Sequence, residues 1–174
     1  MGKRPTELKT SRLLLRRARP DDLDAIHAIM ADVETMRYWS TPPHTSREET
    51  GRWLEAMLSA DPAGNDEFVL EHEGVVIGKL GAWRLPEIGF FLRRDHWGQG
   101  FASEALDGFV RYMASQGVGH LTADVDPLNR ACLDLLTKAG FRETGRASGT
   151  FRLGERLCDS VYLRLDLADG TSRG

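Results

Sequence analysis

The chain has 174 residues, of which 41% are hydrophobic and 28% are charged, so it encodes a folded globular protein rather than a disordered one. Its net charge of −3 argues against a nucleic-acid-binding surface, which needs clustered basic side chains. No apolar run reaches the ~20 residues of a membrane helix and the polar N-terminus lacks a signal-peptide core, so no membrane partner is expected.

The N-terminal part predicts one strand and two helices. Residues 12–16 are an apolar run flanked by arginines and predict a strand. Pro20 then begins a helix, because aspartates suit its first turn and apolar residues follow at helical spacing. Ser46 and Glu49 form a capping box that predicts a second helix to about residue 59.

The rest of the chain predicts six strands and two further helices. Residues 68–70, 75–83 and 87–92 predict an antiparallel meander with a tight turn at Glu73-Gly74. A helix from about Phe101 to Gly117, a strand at 120–125, a helix from Asn129 to Ala139 and closing strands at 141–152 and 159–167 follow. This order predicts a mixed α/β sandwich around a largely antiparallel sheet.

Gly98-Gln99-Gly100 lies between an apolar strand and the start of a helix. The first N–H groups of a helix have no intrahelical partner and carry positive potential. Glycines also let a phosphate approach the backbone closely. The sequence therefore predicts that residues 98–103 bind a phosphorylated ligand.

Other interpretations of this loop are a simple turn or a dinucleotide-binding site. Gly98-x-Gly100-x-x-Ser103 nearly fits the dinucleotide motif, and Asp124 or Asp126 follows near the required spacing. However, five residues separate the strand from the first glycine, and a meander rather than a βαβ unit precedes it. A P-loop is excluded, because no Gly-Lys-Ser/Thr follows.

Residues 95–105, DHWGQGFASEA, resemble the acetyl-CoA loop W-G-x-G-Y-A-x-E-A of the GNAT N-acetyltransferases, and most closely the branch that acetylates ribosomal-protein N-termini. Three other segments agree in order: residues 10–16 are similar to T-x-R-L-x-L-R, residues 87–90 to E-I-G-Y, and residues 129–141 to the branch's N-x-x-S and L-G-F.

This resemblance implies the GNAT acyl-CoA N-acyltransferase fold, an α/β (α+β) fold. Its sheet is expected to be mixed, mostly antiparallel and six- to seven-stranded, flanked by about four helices. We expect a single domain over residues 8–167, with tails at 1–7 and 168–174. The closing strands, 141–167, could pair across a homodimer.

The resemblance also implies that acetyl-CoA is the co-substrate. Its pyrophosphate is expected on backbone N–H groups of the glycine loop, and its pantetheine arm beside the preceding strand like an extra strand. The expected residues are Phe91, Leu92, Trp97, Gly98, Gln99, Gly100, Phe101, Ala102, Ser103 and Asn129. Asn129 also fits a plain N-cap, and both roles are compatible.

Three positions depart from the family pattern. Asp95 stands where the family carries arginine or glutamine, and Arg93 or Arg94 would have to compensate for its negative charge. Leu136 falls where many relatives use tyrosine as a general acid. Cys132 replaces the serine of this branch.

Acetyl transfer to an amine needs a base for the amine and a hydrogen-bond donor for the oxyanion. The leaving thiolate must also be protonated or tolerated as an anion. In relatives a carboxylate at the position of Glu87 acts as the base, although an ordinary solvated acid also fits there. The oxyanion donor would be the N–H of Phe91 or Leu92. Cys132 could protonate the thiolate or be a small buried hydrophobe, and His96 is a weaker alternative base.

The acceptor is expected to contact residues 33–60. Tyr38, Trp39, Trp53 and the Pro42-Pro43 turn are candidate walls of this cleft, and Glu34, Glu48 and Glu49 are candidate partners of a cationic amine.

We therefore predict an acetyltransferase acting by direct attack in a ternary complex, on a protein N-terminal α-amine or a small-molecule amine. A non-catalytic acyl-CoA-binding sensor is the main alternative, and a dinucleotide-dependent enzyme a further one. Scattered histidines and cysteines without metal-ligand spacing predict no metal site. The two cysteines indicate reduced thiols in a cytoplasmic protein.

Overall fold

A computed structural model describes residues 4–168, which contain eight strands and four α-helices. The strands are β1 (Glu7–Lys9), β2 (Leu14–Arg16), β3 (Asp66–His72), β4 (Val75–Arg84), β5 (Glu87–Leu92), β6 (His120–Val125), β7 (Arg142–Leu153) and β8 (Arg156–Asp166). The helices are α1 (Leu23–Met30), α2 (Arg47–Leu58), α3 (Phe101–Ser115) and α4 (Arg130–Lys138).

The strands form one sheet in the order β1-β2-β3-β4-β5-β6-β8-β7. All neighbours are antiparallel except β5 and β6, which run parallel. The β5–β6 ladder consists of one residue pair, Glu87 opposite Thr122. The Thr122 N–H donates to the Pro86 carbonyl at 2.9 Å beside that pair. Beyond it the two strands part, so the sheet opens into a gap on the C-terminal side of Glu87.

Successive residues of a strand point to opposite faces of the sheet. Both faces of this sheet carry apolar side chains, and helices cover both of them. On one face, α1 and α2 pack against Val69, Val76 and Phe91. On the other face, α3 and α4 pack against a larger apolar cluster that includes Phe68 and Leu80. The gap between β5 and β6 therefore has a helical layer on each side.

The predicted meander, glycine loop and closing strands are confirmed, as is the fold. The sheet has eight strands rather than the predicted six to seven, because Glu7–Lys9 pairs with β2. Glu7, which the sequence assigned to a tail, is the first residue of that strand. Residues 1–3 and 169–174 of the predicted tails lie outside the described residues. β7 is an edge strand, and its pairing across a dimer stays a prediction.

The predicted capping box of α2 is half correct. The Ser46 hydroxyl accepts the Glu49 N–H at 3.2 Å, as predicted. The Glu49 carboxylate does not return to the Ser46 N–H but accepts from the Thr45 N–H at 3.1 Å. The Glu49 side chain therefore caps Thr45, one residue before the predicted partner Ser46.

A buried ion-pair network holds the start of α1 against the sheet. Arg16 on β2 is 6% exposed and donates to both oxygens of Asp22, at 2.8 and 3.0 Å, and to Glu71 at 2.6 Å. Burial acts to raise the pKa of Asp22, but hydrogen bonds from Arg16 and the Arg19 N–H outweigh it and hold that pKa below its usual value.

Within residues 4–168, no helix combines the length and apolar character required to span a membrane.

Candidate active site

A cleft of about 520 Å³ opens where β5 and β6 part. It is lined by β5, the glycine loop, the start of α4 and the segment between α1 and α2. Of the ten residues expected to bind acetyl-CoA, only Gln99 is absent from its walls. The nine that line it are Phe91, Leu92, Trp97, Gly98, Gly100, Phe101, Ala102, Ser103 and Asn129. The fold thus assembles the predicted set around one cavity.

The glycine loop has the backbone shape that the sequence suggested. Gly98 and Gly100 have φ of +70° and +81°, in the left-handed region where glycine is favoured. Gly100 is the N-cap of α3, so the first N–H groups of this 15-residue helix have no intrahelical partner. Phe101, Ala102 and Ser103 carry these groups at the wall of the cleft. The loop can therefore hold an anion at the positive end of the helix.

Backbone groups of β5 face the gap. The Arg93 N–H donates to the Ile77 carbonyl of β4 at 2.7 Å, and ladder pairing alternates along an antiparallel strand. Phe91 therefore turns its backbone groups toward β4, whereas Phe90 and Leu92 turn theirs toward the gap. The Leu92 carbonyl accepts the Trp97 indole N–H at 2.7 Å. Of the two expected oxyanion donors, this alternation favours Leu92.

The negative charge of Asp95 is offset locally. Asp95 lies 2.8 Å from His96 Nδ1 and 2.9 Å from Arg93 Nη2, and these partners hold the pKa of Asp95 below its usual value. Arg94 instead pairs at 3.3 Å with Asp32, in the segment after α1. Of the two arginines considered as compensation, Arg93 takes that role.

The start of α4 brings Asn129 and Cys132 to the cleft. The Asn129 side-chain oxygen accepts the Cys132 N–H at 3.2 Å, which confirms the N-cap and leaves its NH₂ group able to donate to a ligand. Burial raises the pKa of the Cys132 thiol to about 12. That makes Cys132 a weaker acid than an ordinary thiol, near ~8.5, and disfavours its expected role as proton donor. Leu136 is fully buried in the core.

Glu87 lies at the closed end of the gap, outside the lining of the main cleft. Its side chain is 29% exposed and lies 3.5 Å from Arg84 Nη2. Strand alternation puts Glu87 on the face of Gly89 and Phe91. Trp39 covers that face, since a Cβ added to Gly89 would lie 3.5 Å from its ring. Glu87 therefore lies on the face of β5 where the acceptor is expected, and its role as base stays a prediction.

The side of the cleft where the acceptor is expected has an aromatic wall. Trp39 meets the Phe91 ring edge-on, with ring centroids 5.2 Å apart. Trp53 packs behind Phe91 and, unlike Tyr38 and Trp39, is not part of the cleft lining. Beneath the wall, buried Lys79 pairs with Glu67, with its ammonium 5.6 Å from the Trp39 ring.

The cleft wall carries few acidic side chains. Among the described residues that line the cleft, Glu34 is the one carboxylate, and it pairs with Arg37 at 3.6 Å. Glu48 and Glu49 do not line it. Within residues 4–168, no group of three or more histidine, cysteine or acidic side chains is arranged to hold a metal ion.

Sequence relatives agree with this geometry. The acetyltransferase (GNAT) domain family matches residues 12–142. An uncharacterized N-acetyltransferase of Bacillus licheniformis, p20, is 30% identical over 166 residues, covering 90% of this chain and 93% of the relative.

Solved structures of acetyltransferases share the fold. Spermidine N-acetyltransferase from Vibrio cholerae, solved with CoA and spermine, has a TM-score of 0.80 at 22% identity, covering 91% of this chain and 98% of its own. A Salmonella typhimurium acetyltransferase that modifies the N-terminal serine of ribosomal protein L7/L12 has a TM-score of 0.82 at 18% identity, covering 91% and 97%. With the family match and the cleft geometry, these findings show that the chain belongs to the GNAT family of acetyl-CoA-dependent acetyltransferases.

Proposed function

We propose that this protein transfers the acetyl group of acetyl-CoA to the primary amine of an acceptor with one amino group, by direct attack within a ternary complex. The observation that carries the proposal is the gap between β5 and β6, which joins the glycine loop to the aromatic acceptor wall. Backbone groups of Phe90 line this gap and can pair with the amides of a pantetheine arm, and the Leu92 N–H faces the same gap.

Leu92, Glu87 and solvent each have a separate role in the reaction. The amine nitrogen attacks the thioester carbonyl, the C–S bond breaks, and an acetamide and the thiolate of CoA result. The Leu92 N–H stabilises the oxyanion that forms during attack. Glu87 takes the proton that the amine loses, directly or through water. Solvent protonates the thiolate, because Cys132 holds its own proton more tightly than an ordinary thiol.

The acceptor is best described as a monoamine, such as a protein N-terminus or a small amine. An α-amine with a pKa near ~8 is about 10–20% neutral at pH 7, whereas a lysine-like amine near ~10.4 is almost fully charged. A polyamine would need several acidic partners, and Glu34 is the one carboxylate on the described cleft wall. Glu67 below the wall is neutralised by its pair with Lys79, so it does not add an acidic partner for a polyamine.

Calorimetry with acetyl-CoA is the first test, with NAD as the control. Micromolar binding of acetyl-CoA and none of NAD are expected, because the loop follows a meander rather than a βαβ unit. Absence of acetyl-CoA binding would overturn the proposal. Binding without turnover on peptides or small amines would identify the protein as an acyl-CoA sensor instead. Faster turnover of spermidine than of monoamines would refute the acceptor class.

Replacing Cys132 by serine tests the fate of the thiolate. We expect kcat to fall by less than about threefold, since serine is even less acidic and the proton comes from solvent. Steady-state kinetics at saturating acetyl-CoA and acceptor measure this. A fall of about a hundredfold or more would restore Cys132 as the general acid.

A further inference from the structure

Arg12 links the start of the chain to the glycine loop. Its Nε and its backbone N–H donate to the two oxygens of Glu104, each at 2.8 Å. Its Nη1 donates to the Gln99 carbonyl at 2.9 Å. Its guanidinium carbon lies 4.2 Å from the centre of the Phe101 ring. The Arg12 side chain thus contacts Gln99 in the glycine loop and both Phe101 and Glu104 in the first turn of α3.

Thr10 completes this arrangement, which we call the Arg12 latch (Thr10, Arg12, Glu104 and the Gln99 carbonyl). The Thr10 hydroxyl donates to the Glu104 oxygen that also accepts the Arg12 N–H. A Cβ on Gly108 would lie 2.9 Å from the Thr10 methyl, so this small residue lets Thr10 approach α3. Burial acts to raise the pKa of Glu104, but these hydrogen bonds hold it below its usual value, and the carboxylate stays charged.

The latch fixes the orientation of one peptide plane. In a trans peptide the carbonyl of one residue and the N–H of the next point in opposite directions. Arg12 holds the Gln99 carbonyl on its own side of the loop, so the Gly100 N–H points the other way. Gly100 lines the cleft and Gln99 does not, which agrees with that orientation.

We propose that Arg12 is a positioning residue for acetyl-CoA: by holding the Gln99 carbonyl outside the cleft, it aims the Gly100 N–H at the pyrophosphate. This inference rests on the proposed function. It explains why residues 10–12 and residue 104, which are far apart in sequence, belong to one site. Gly100 has an added constraint, because a Cβ there would lie 3.3 Å from Arg12 Nη2.

The test compares two acetyl donors. Acetyl-CoA carries the pyrophosphate and acetyl-pantetheine does not. In Arg12→Ala, we expect Kd and KM for acetyl-CoA to rise roughly ten- to a hundredfold, the range for one hydrogen bond to a charged group. KM for acetyl-pantetheine and kcat at saturation should change by less than about threefold. Equal losses with both donors would show a merely structural role and overturn the inference.

Two further variants separate positioning from charge. Arg12→Lys should lose binding like Arg12→Ala, because lysine lacks the planar fork that contacts Glu104 and Gln99 together. Full binding in Arg12→Lys would mean that charge alone suffices. Glu104→Gln removes a negative charge near the pyrophosphate and would tighten CoA binding by electrostatics alone. The latch predicts the opposite, a weaker complex, so a tighter complex would refute it.

Arg111→Ala is the matched control. Arg111 lies farther along α3 in an exposed pair with Asp107 at 2.8 Å, so its loss should leave both donors unaffected. Failure of the unmodified protein to bind CoA would overturn the proposed function together with the latch. Binding by the unmodified protein with no loss in Arg12→Ala would overturn the latch alone.

Discussion

Glu87→Gln is expected to lower kcat by about 10²–10⁴-fold, the contribution of a general base. Glutamine has the size of glutamate but cannot take a proton from the attacking amine. Kd for acetyl-CoA should not change, because Glu87 lies outside the lining of the main cleft. Steady-state kinetics with a saturating acceptor and calorimetry with acetyl-CoA measure the two quantities separately.

The control for this variant is Glu143→Gln, a change on the edge strand β7, which β6 and β8 separate from β5. It removes the same charge outside the cleft lining and should leave kcat as it is. Wild-type turnover by Glu87→Gln over the whole pH range would place the base elsewhere. His96 lines the cleft but pairs with Asp95 beside the glycine loop, on the CoA side of the site.

Arg16→Met is expected to lower the free energy of unfolding by about 3–5 kcal/mol, as for other broken buried ion pairs. Methionine fills much of the space but leaves the buried carboxylate of Asp22 and the partly buried carboxylate of Glu71 without their main donor. Urea unfolding followed by circular dichroism measures the change. Arg146→Met, which removes an exposed partner of Glu143, should leave the midpoint nearly unchanged. Equal midpoints for the two variants would contradict the prediction.

The same network makes the free energy of unfolding depend on pH. The pKa of Asp22 in the folded protein lies below its value in the unfolded chain. Its stabilising contribution is therefore complete above the ordinary aspartate pKa, near ~4, and is lost as the pH falls through the lower folded value. Arg16→Met should lack this part of the acid dependence.

The elements with strong local signals could be predicted from the sequence. Glu87–Leu92 has its predicted bounds, and α3 begins at Phe101 as the glycine loop suggested. The strand Glu7–Lys9 could not be predicted, because its three residues are mostly polar and it exists by pairing with β2. Short strands of this kind depend on tertiary contacts rather than on local pattern.

A part of the site could be predicted where one continuous segment both lines the cleft and carries a recognisable sequence motif. The glycine loop is such a segment. The sequence alone does not assign Arg12 to the site, because its contact with Gln99 joins residues 87 positions apart. The only available signal was that T-x-R and the glycine loop occur together in the resembled branch. The choice between Arg93 and Arg94 likewise depends on side-chain directions that spacing does not give.

The single residue pair between β5 and β6 has a consequence for how the protein unfolds. Five strands lie on one side of that pair and three on the other, and the two groups are joined by one residue pair and by the apolar cluster that α3 and α4 cover. A bound pantetheine arm would add hydrogen bonds along the seam between β5 and β6. Acetyl-CoA would then act as a structural element as well as a reactant, and its binding would raise the free energy of unfolding of the folded protein.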